Sequence, residues 1–140
     1  MLFRDAGSPE IVFDEGLNDL FVVRNAGNVV TNGVLGSLEH SLLELGVNLV
    51  MVLGHEDCGA VKAALHTDKH AAASKDYLEA LIRPIGPAIR RAKQLPGALL
   101  ENAVRENVRL MVGKIRSAPF VTRAGRPITV AGGIYRLRTG

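Results

Sequence analysis

Three long stretches of the chain repeat their apolar residues at the spacing of an amphipathic helix. They cover residues 34–45, 77–91 and 98–116. Asn32 is predicted to cap the first of these helices and Gly46 to end it. Pro84 and Pro87 predict a break or kink inside the second. A Ser-Pro-Glu sequence at 8–10 predicts a short helix or turn that precedes all three.

Three other stretches are rich in β-branched residues and have the length of strands. They cover residues 19–24, 47–53 and 128–135. Gly132 and Gly133 are predicted to break the last strand. Residues 66–74 and 119–127 are predicted to be connections. Strands that alternate with helices predict an α/β fold with a mostly parallel β-sheet flanked by helices, and we expect a single domain over residues 1–140.

The middle strand ends at Gly54 and turns directly into a helix that is predicted to run from about Asp57 to Leu65. The turn carries His55 and Cys58, an imidazole and a thiol three residues apart. Such nitrogen and sulfur ligands are half of a zinc site, and the start of a helix favours the thiolate form of a cysteine. The alternative is a small, buried, apolar cysteine beside a turn histidine.

The rest of the chain offers few further ligands for such a metal site. Cys58 is the only cysteine, which excludes an internal disulfide and fits a reducing compartment. His66 and His70 are predicted to be solvated, and His40 to be solvated or to lie at an interface. Asp57 is predicted to cap the helix or to hold a nearby cation. The residue pattern therefore predicts one half of a zinc site and does not identify the other half.

The amino-acid composition of the chain limits the kinds of function that it can have. Hydrophobic residues make up 47% of the chain and charged residues 22%, which is typical of a globular protein. The net charge is +3 and basic residues do not cluster, so no nucleic-acid partner is predicted. The start does not resemble a signal peptide, and the longest apolar run, 49–53, is too short to cross a bilayer. We therefore expect a cytoplasmic protein without a membrane partner.

A phosphate or nucleotide site at the turn 54–59 is the alternative from a different class of function. This turn lacks the glycine spacing of nucleotide-binding loops. It also carries two acidic residues, which repel phosphate. The sequence therefore argues against a phosphate or nucleotide site at this turn.

Five segments, in order along the chain, resemble sequence motifs of the β-class carbonic anhydrases. They are FVVRNAGN at 21–28, GSLEH at 36–40, GHEDCGAVK at 54–62, ENAVRENV at 101–108, and VAGGIY to TG at 130–140. The resemblance implies the fold of that family and its reaction, the zinc-dependent reversible hydration of CO₂ to bicarbonate. It also implies assembly into a homodimer or a higher homo-oligomer.

By the same resemblance, His55 and Cys58 correspond to the second and third protein ligands of the family's zinc ion. The family's first ligand is the cysteine of a CxDSR segment that ends a strand just before the Ser-Pro-Glu sequence. In this chain either Leu2 or Phe3 stands at that cysteine, depending on a one-residue gap. The gapped alignment keeps Asp5 at the aspartate, so Asp5 is a candidate catalytic residue.

The same departure affects the expected sheet and the expected activity. The first central strand of the family's sheet is expected to be missing or shortened, so that residues 20–24 and 47–53 either close up against each other or leave a gap for a partner chain. One hypothesis is a pseudoenzyme with a degenerate zinc site, retained as an assembly or anion-binding module. Another is an active enzyme whose zinc ligands are completed by Asp5, water or another subunit. A third is a truncated form of an ordinary enzyme.

Overall fold

The fold is built from seven α-helices and two β-strands within residues 7–66 and 77–140, the residues that the computed structural model describes. The helices are α1 (Pro9–Phe13), α2 (Asn32–Leu43), α3 (Gly59–His66), α4 (Tyr77–Ile82), α5 (Gly86–Ala92), α6 (Leu99–Arg116) and α7 (Pro119–Arg123). The strands are β1 (Leu49–His55) and β2 (Thr129–Tyr135). Two 3₁₀ turns, Ala26–Asn28 and Arg83–Ile85, complete the regular structure.

The two strands pair in parallel, which confirms the predicted α/β class. Leu49 lies opposite Thr129 at one end of the ladder and His55 lies opposite Tyr135 at the other. The ladder runs without interruption past Gly132 and Gly133, so the predicted break in the last strand is wrong. A backbone ladder needs no side chains, and the two glycines retain their backbone hydrogen-bonding groups.

Helix α6 covers one face of this small sheet. Val50 and Val52 of β1 point toward it and are buried, with exposed fractions of 6% each. The helix lies close to the sheet at Gly54 and Gly132, where a Cβ atom would lie 2.6 Å and 2.7 Å from the two Cγ atoms of Val108. Only residues without a side chain permit this distance between helix and sheet.

Residues 19–24 were expected to be a strand, and this prediction is wrong. They join no sheet, and residues 20–24 take part in no backbone hydrogen bond among the described residues. Phe21, Val22 and Val23 are exposed to 44%, 44% and 40%, without the alternation of a strand that buries one face. Their β propensity is not realised because strand preference reflects packing against neighbouring strands.

A cavity of about 550 Å³ separates these residues from β1. Of the two arrangements expected, the one in which residues 20–24 and 47–53 close up against each other is therefore wrong, and no described residue fills the space between them. The absence of a third strand from the described residues agrees with the expected loss or shortening of the family's first central strand.

Several local predictions are confirmed and others are corrected. The helix predicted over 77–91 is interrupted at Arg83–Ile85, as its prolines indicate. Thr31, not Asn32, caps α2, because its Oγ1 accepts the Val34 N–H at 3.4 Å. The connection at 119–127 contains helix α7, which is anchored by buried Phe120. The connection predicted at 66–74 lies, after His66, outside the described residues.

The contact between α6 and β2 predicts unequal effects of two adjacent glycine substitutions. We expect Gly132→Ala to lower the free energy of unfolding by about 1–3 kcal/mol, because the new methyl group collides with the stiff side chain of Val108. Gly133→Ala is the matched control, since its Cβ would meet Leu53 and Met51 at ordinary distances of 3.5 Å and 3.7 Å. Urea unfolding measures both, and equal destabilisation by the two variants would contradict the described packing.

Candidate metal centre

The candidate site lies where the sheet ends and α3 begins. His55 is the last residue of β1, and the next residue still belongs to the ladder, since the Glu56 N–H donates to the Tyr135 carbonyl at 3.0 Å. Asp57 then adopts a left-handed conformation with φ of 61°. This turn reverses the chain so that Cys58 immediately precedes the helix, with its carbonyl accepting the Lys62 N–H at 3.0 Å. The helix therefore starts two residues later than predicted, at Gly59.

Cys58 is the residue that immediately precedes this helix. Its side chain is buried, with the residue 3% exposed, and the nearby backbone N–H groups of Val61 and Ala60 help to lower the pKa of the thiol. A capping side chain usually offers oxygen to these same two positions of the first turn. Asp57 was predicted to be the capping residue, and Cys58 takes that place because the left-handed turn shifts the helix start.

The electrostatics of the site favour the thiolate. Burial alone raises the pKa of the Cys58 thiol, but a hydrogen bond from the His55 side chain lowers it. The backbone N–H groups and the charge of His55 add to the lowering, and the net pKa of Cys58 lies below its ordinary value. A thiolate is the form in which cysteine binds a metal ion.

His55 is held in place from two directions. Its Nδ1 donates to the Glu56 carbonyl at 2.9 Å, and its ring also interacts with the Cys58 thiol. A carbonyl can only accept, so this bond keeps a proton on Nδ1 and leaves Nε2 as the nitrogen that could bind a metal. Metal-binding histidines commonly present one ring nitrogen while the other donates to a carbonyl.

Asn107 holds the 3₁₀ turn that lies beside the site, and this role was not predicted from the sequence. It is fully buried on α6 and donates from Nδ2 to the Gly27 carbonyl at 2.8 Å. The 3₁₀ turn that it holds packs against both ends of the site, since the space beside Gly27 is filled by Ala60 and the Asn28 Oδ1 lies near Gly54. The sequence feature that could have identified this role is a polar asparagine among the apolar residues on the buried face of α6.

The remaining candidate residues do not join the pair. The Asp57 carboxylate forms an exposed ion pair with the Lys62 ammonium group at 2.5 Å, so the cation that it holds is a lysine. His40 and His66 are exposed, on α2 and at the end of α3. Asp5 and His70 lie outside the described residues. Within residues 7–66 and 77–140, no three histidine, cysteine, aspartate or glutamate side chains lie together as a potential metal site.

Comparison with known proteins identifies the family. A sequence profile of the carbonic anhydrase family matches residues 7–140, nearly the whole chain. The chain belongs to the β-carbonic anhydrase family. It is 35% identical over 136 residues to carbonic anhydrase 2 of Mycobacterium tuberculosis, covering 94% of this chain and 65% of the relative. It is 33% identical over 150 residues to a carbonic anhydrase of Pseudomonas aeruginosa, covering 94% and 64%.

Solved structures agree with this assignment. The fold superposes on the Coccomyxa β-carbonic anhydrase in complex with acetazolamide with a TM-score of 0.81 at 28% identity, over 95% of this chain and 64% of that chain. It superposes on the β-carbonic anhydrase CcaA with a TM-score of 0.76 at 26% identity, over 94% and 64%. The chain thus spans just under two thirds of the length of these relatives. None of the described helices is long and apolar enough to cross a membrane.

The arrangement of His55 and Cys58 predicts a coupled titration in the metal-free protein. We expect His55→Ala to raise the pKa of the Cys58 thiol, because the substitution removes two of the causes that lower it and leaves burial in place. Thiolate absorbance measured across a pH series gives the midpoint, and His66→Ala, an exposed histidine outside the site, serves as the control. An unchanged or lower midpoint in His55→Ala would show that the ring does not stabilise the thiolate.

Proposed function

We propose that this chain is a β-carbonic anhydrase-like domain in which His55 and Cys58 bind zinc as half of the family's centre, and in which CO₂ hydration is weak or lost. The observation that carries the proposal is the placement of the two residues: His55 and Cys58 lie at one strand end and line the same cavity, where His55 lowers the pKa of the buried thiol. Two potential ligands are thus held together on a rigid strand end.

The donor chemistry fits zinc. Zinc prefers cysteine sulfur and histidine nitrogen, and it needs the thiolate form and the neutral imidazole. The helix start supplies two N–H groups to the sulfur, which lowers the cost of its negative charge. The Glu56 carbonyl holds the proton of the imidazole on Nδ1, which is the arrangement of a ligand histidine. Loss of the second imidazole proton, from Nε2, would leave both donors in the form that zinc binds.

A bound zinc ion would supply the Lewis acidity that makes water nucleophilic near neutral pH, and CO₂ would be the electrophile by family resemblance. The protein would contribute the fixed positions of the two ligands. The pairing of β1 with β2 fixes His55, the left-handed turn at Asp57 directs the chain back, and the cap fixes Cys58.

The weakness of the proposed centre follows from the number of protein ligands. Cys58 is the only cysteine of the chain, so one chain cannot supply the two thiolates that the family uses. Each missing ligand removes a strong bond, and water takes its place. We therefore propose a loosely held metal and little catalytic activity, as in a pseudoenzyme with a role in assembly.

A second candidate is an active enzyme whose shell is completed by Asp5, water or another subunit, and the named activity of the relatives favours it. Under either candidate, CO₂ and bicarbonate are the proposed substrates and a homo-oligomer is the proposed assembly. One structural neighbour at 17% identity is described as tetrameric, and that likeness supports the shared fold only. A single domain over residues 1–140 remains part of the proposal.

Zinc binding by the full chain tests the proposal. We expect measurable Zn²⁺ binding in a chelator competition, and a fall in affinity of at least about tenfold in His55→Ala and in Cys58→Ser, since even the loss of a supporting residue costs that much. Matched controls are His40→Ala and His66→Ala, two exposed histidines outside the pair. These controls should bind zinc as the unmodified chain does.

Stopped-flow CO₂ hydration by the zinc-loaded chain separates the two candidates. Rates near the uncatalysed reaction, together with zinc binding that depends on His55 and Cys58, support the half-site proposal. Efficient hydration that is lost in both variants would support the completed shell instead. Zinc binding unaffected by either substitution would rule out the pair as ligands.

A further inference from the structure

A short series of contacts joins the buried Asn107 of α6 to the candidate metal site. We propose that Asn107 is a positioning residue of that site: through the 3₁₀ turn Ala26–Asn28 it fixes where α3 begins, and hence where Cys58 lies relative to His55. The inference rests on the proposed function, because it concerns the same two ligands. Asn107 acts through hydrogen bonding and packing, not as a ligand.

The 3₁₀ turn lies between the two elements that carry the ligands. On one side, its Asn28 Oδ1 lies 3.7 Å from the position of a Cβ atom at Gly54, the residue before His55. On the other side, a Cβ atom at Gly27 would lie 3.0 Å from the Cβ of Ala60, in the first turn of α3. The turn is therefore a spacer between the end of β1 and the start of α3.

The packing around Gly27 leaves no room for movement toward α3. Its φ of 70° is a left-handed conformation that favours glycine, and a side chain would also lie 3.0 Å from the Cδ1 of Ile85. In a close-packed interior, a shift of one backbone segment displaces the segments that it touches. The position of Gly27 therefore determines the position of the helix that follows Cys58.

Three side chains of α6 hold the segment that contains this turn. The Met111 sulfur accepts the Val30 N–H at 3.3 Å, and the Lys114 ammonium group donates to the Val30 carbonyl at 2.6 Å. Both act at the end of the segment that leads to α2. Asn107 holds the other end, where its Nδ2 donates to the Gly27 carbonyl at 2.8 Å. Of the three, Asn107 binds the part of the segment that packs on α3.

His55 has a separate support. Its strand is fixed by pairing with β2 and by the contact of Val108 with Gly54. Loss of the Asn107 hydrogen bond is therefore expected to move Cys58 and to leave His55 in place. This asymmetry separates a positioning residue from a residue that stabilises the whole fold.

The buried amide of Asn107 has an incomplete set of partners. The residue is 0% exposed, and its Oδ1 has no hydrogen-bond partner among the described residues. Its second contact, from Nδ2 to the Asn28 Oδ1, is long at 3.5 Å. A buried amide with an unpaired oxygen carries a desolvation cost, and leucine at this position removes that cost together with the bond to Gly27. We therefore expect the variant Asn107→Leu to fold.

Asn102 offers a matched control on the same helix. It is also buried, at 6% exposed, and its Nδ2 donates to the Pro96 carbonyl at 3.0 Å. Pro96 lies in the connection between α5 and α6 and does not line the cavity beside the metal site. Leucine has the branching of asparagine and cannot donate, so Asn107→Leu and Asn102→Leu each remove one buried hydrogen bond from α6. Only the first releases the turn that packs on α3.

Amide hydrogen exchange on the full chain, followed by NMR, tests the positioning without a metal. The Lys62 N–H donates to the Cys58 carbonyl and reports on the start of α3, whereas the Glu56 N–H donates to the Tyr135 carbonyl and reports on the end of β1. In Asn107→Leu we expect the protection of Lys62 to fall at least about tenfold, and that of Glu56 to change by less than about threefold.

Zinc affinity tests the consequence for the metal centre. In a chelator competition, we expect Asn107→Leu to lower the affinity for Zn²⁺ at least about tenfold, as the loss of a supporting residue does, and Asn102→Leu to leave it within about twofold. The sulfur-to-cobalt charge-transfer absorption of the cobalt-loaded chain reports on Cys58 as a ligand. It should weaken in the first variant and not in the second.

A measurement on the unmodified chain decides the matter if Asn107→Leu does not fold. In low concentrations of denaturant, the Lys62 amide and the side-chain amide of Asn107 should exchange through one opening, with equal free energies and equal dependence on denaturant. That free energy should be lower than the value for the Glu56 amide. Different opening free energies for Lys62 and Asn107 would contradict the proposal.

Two results with the variants would also overturn the proposal. Equal loss of protection at Lys62 and Glu56 in Asn107→Leu would mean that Asn107 stabilises the fold as a whole. Equal loss of zinc affinity in Asn107→Leu and Asn102→Leu would mean the same.

The proposed function fails in a different way. Zinc binding by the unmodified chain that does not depend on Cys58 would reject the proposed function. A selective loss of protection at Lys62 in Asn107→Leu would still support the role of Asn107 in placing the start of α3.

Discussion

The close approach of helix α6 to the sheet is the contact on which the rest of the structure depends. Val108 fills the space that side chains at Gly54 and Gly132 would occupy, so one valine contacts both strands. The helix thereby buries Val50 and Val52 and sets the distance between β1 and α6. Because Gly54 immediately precedes His55, the same contact sets the position from which the candidate metal site is built.

From this fixed point, local backbone chemistry prepares two donors. The left-handed residue Asp57 brings the chain back over the strand end, and Cys58 becomes the cap of α3. The helix start stabilises negative charge on sulfur, and the Glu56 carbonyl holds the imidazole ring through Nδ1. Asn107 reaches from α6 to hold the adjacent turn against this region. The pair is thus preorganised by bonds that do not involve a metal.

The sequence predicted those features that depend on local pattern. The spacing of apolar residues identified α6, the prolines identified the break between α4 and α5, and the turn after β1 was located from Gly54. The strand prediction for residues 19–24 was wrong, because a stretch with high β propensity still needs a neighbouring strand to pair with. None of the described residues provides one. The role of Asn107 was also missed, since a polar residue on an apolar face gains meaning only from its partner 80 positions away in the sequence.

The central claim is that one chain contributes one sulfur and one nitrogen to a zinc ion. X-ray absorption at the zinc edge, on the full chain loaded with zinc, tests it most directly. We expect one sulfur neighbour per zinc at about 2.3 Å, with the remaining neighbours nitrogen or oxygen at about 2.0–2.2 Å. A shell without sulfur would contradict the account, and so would a shell with two sulfurs, which would require Cys58 of a second chain.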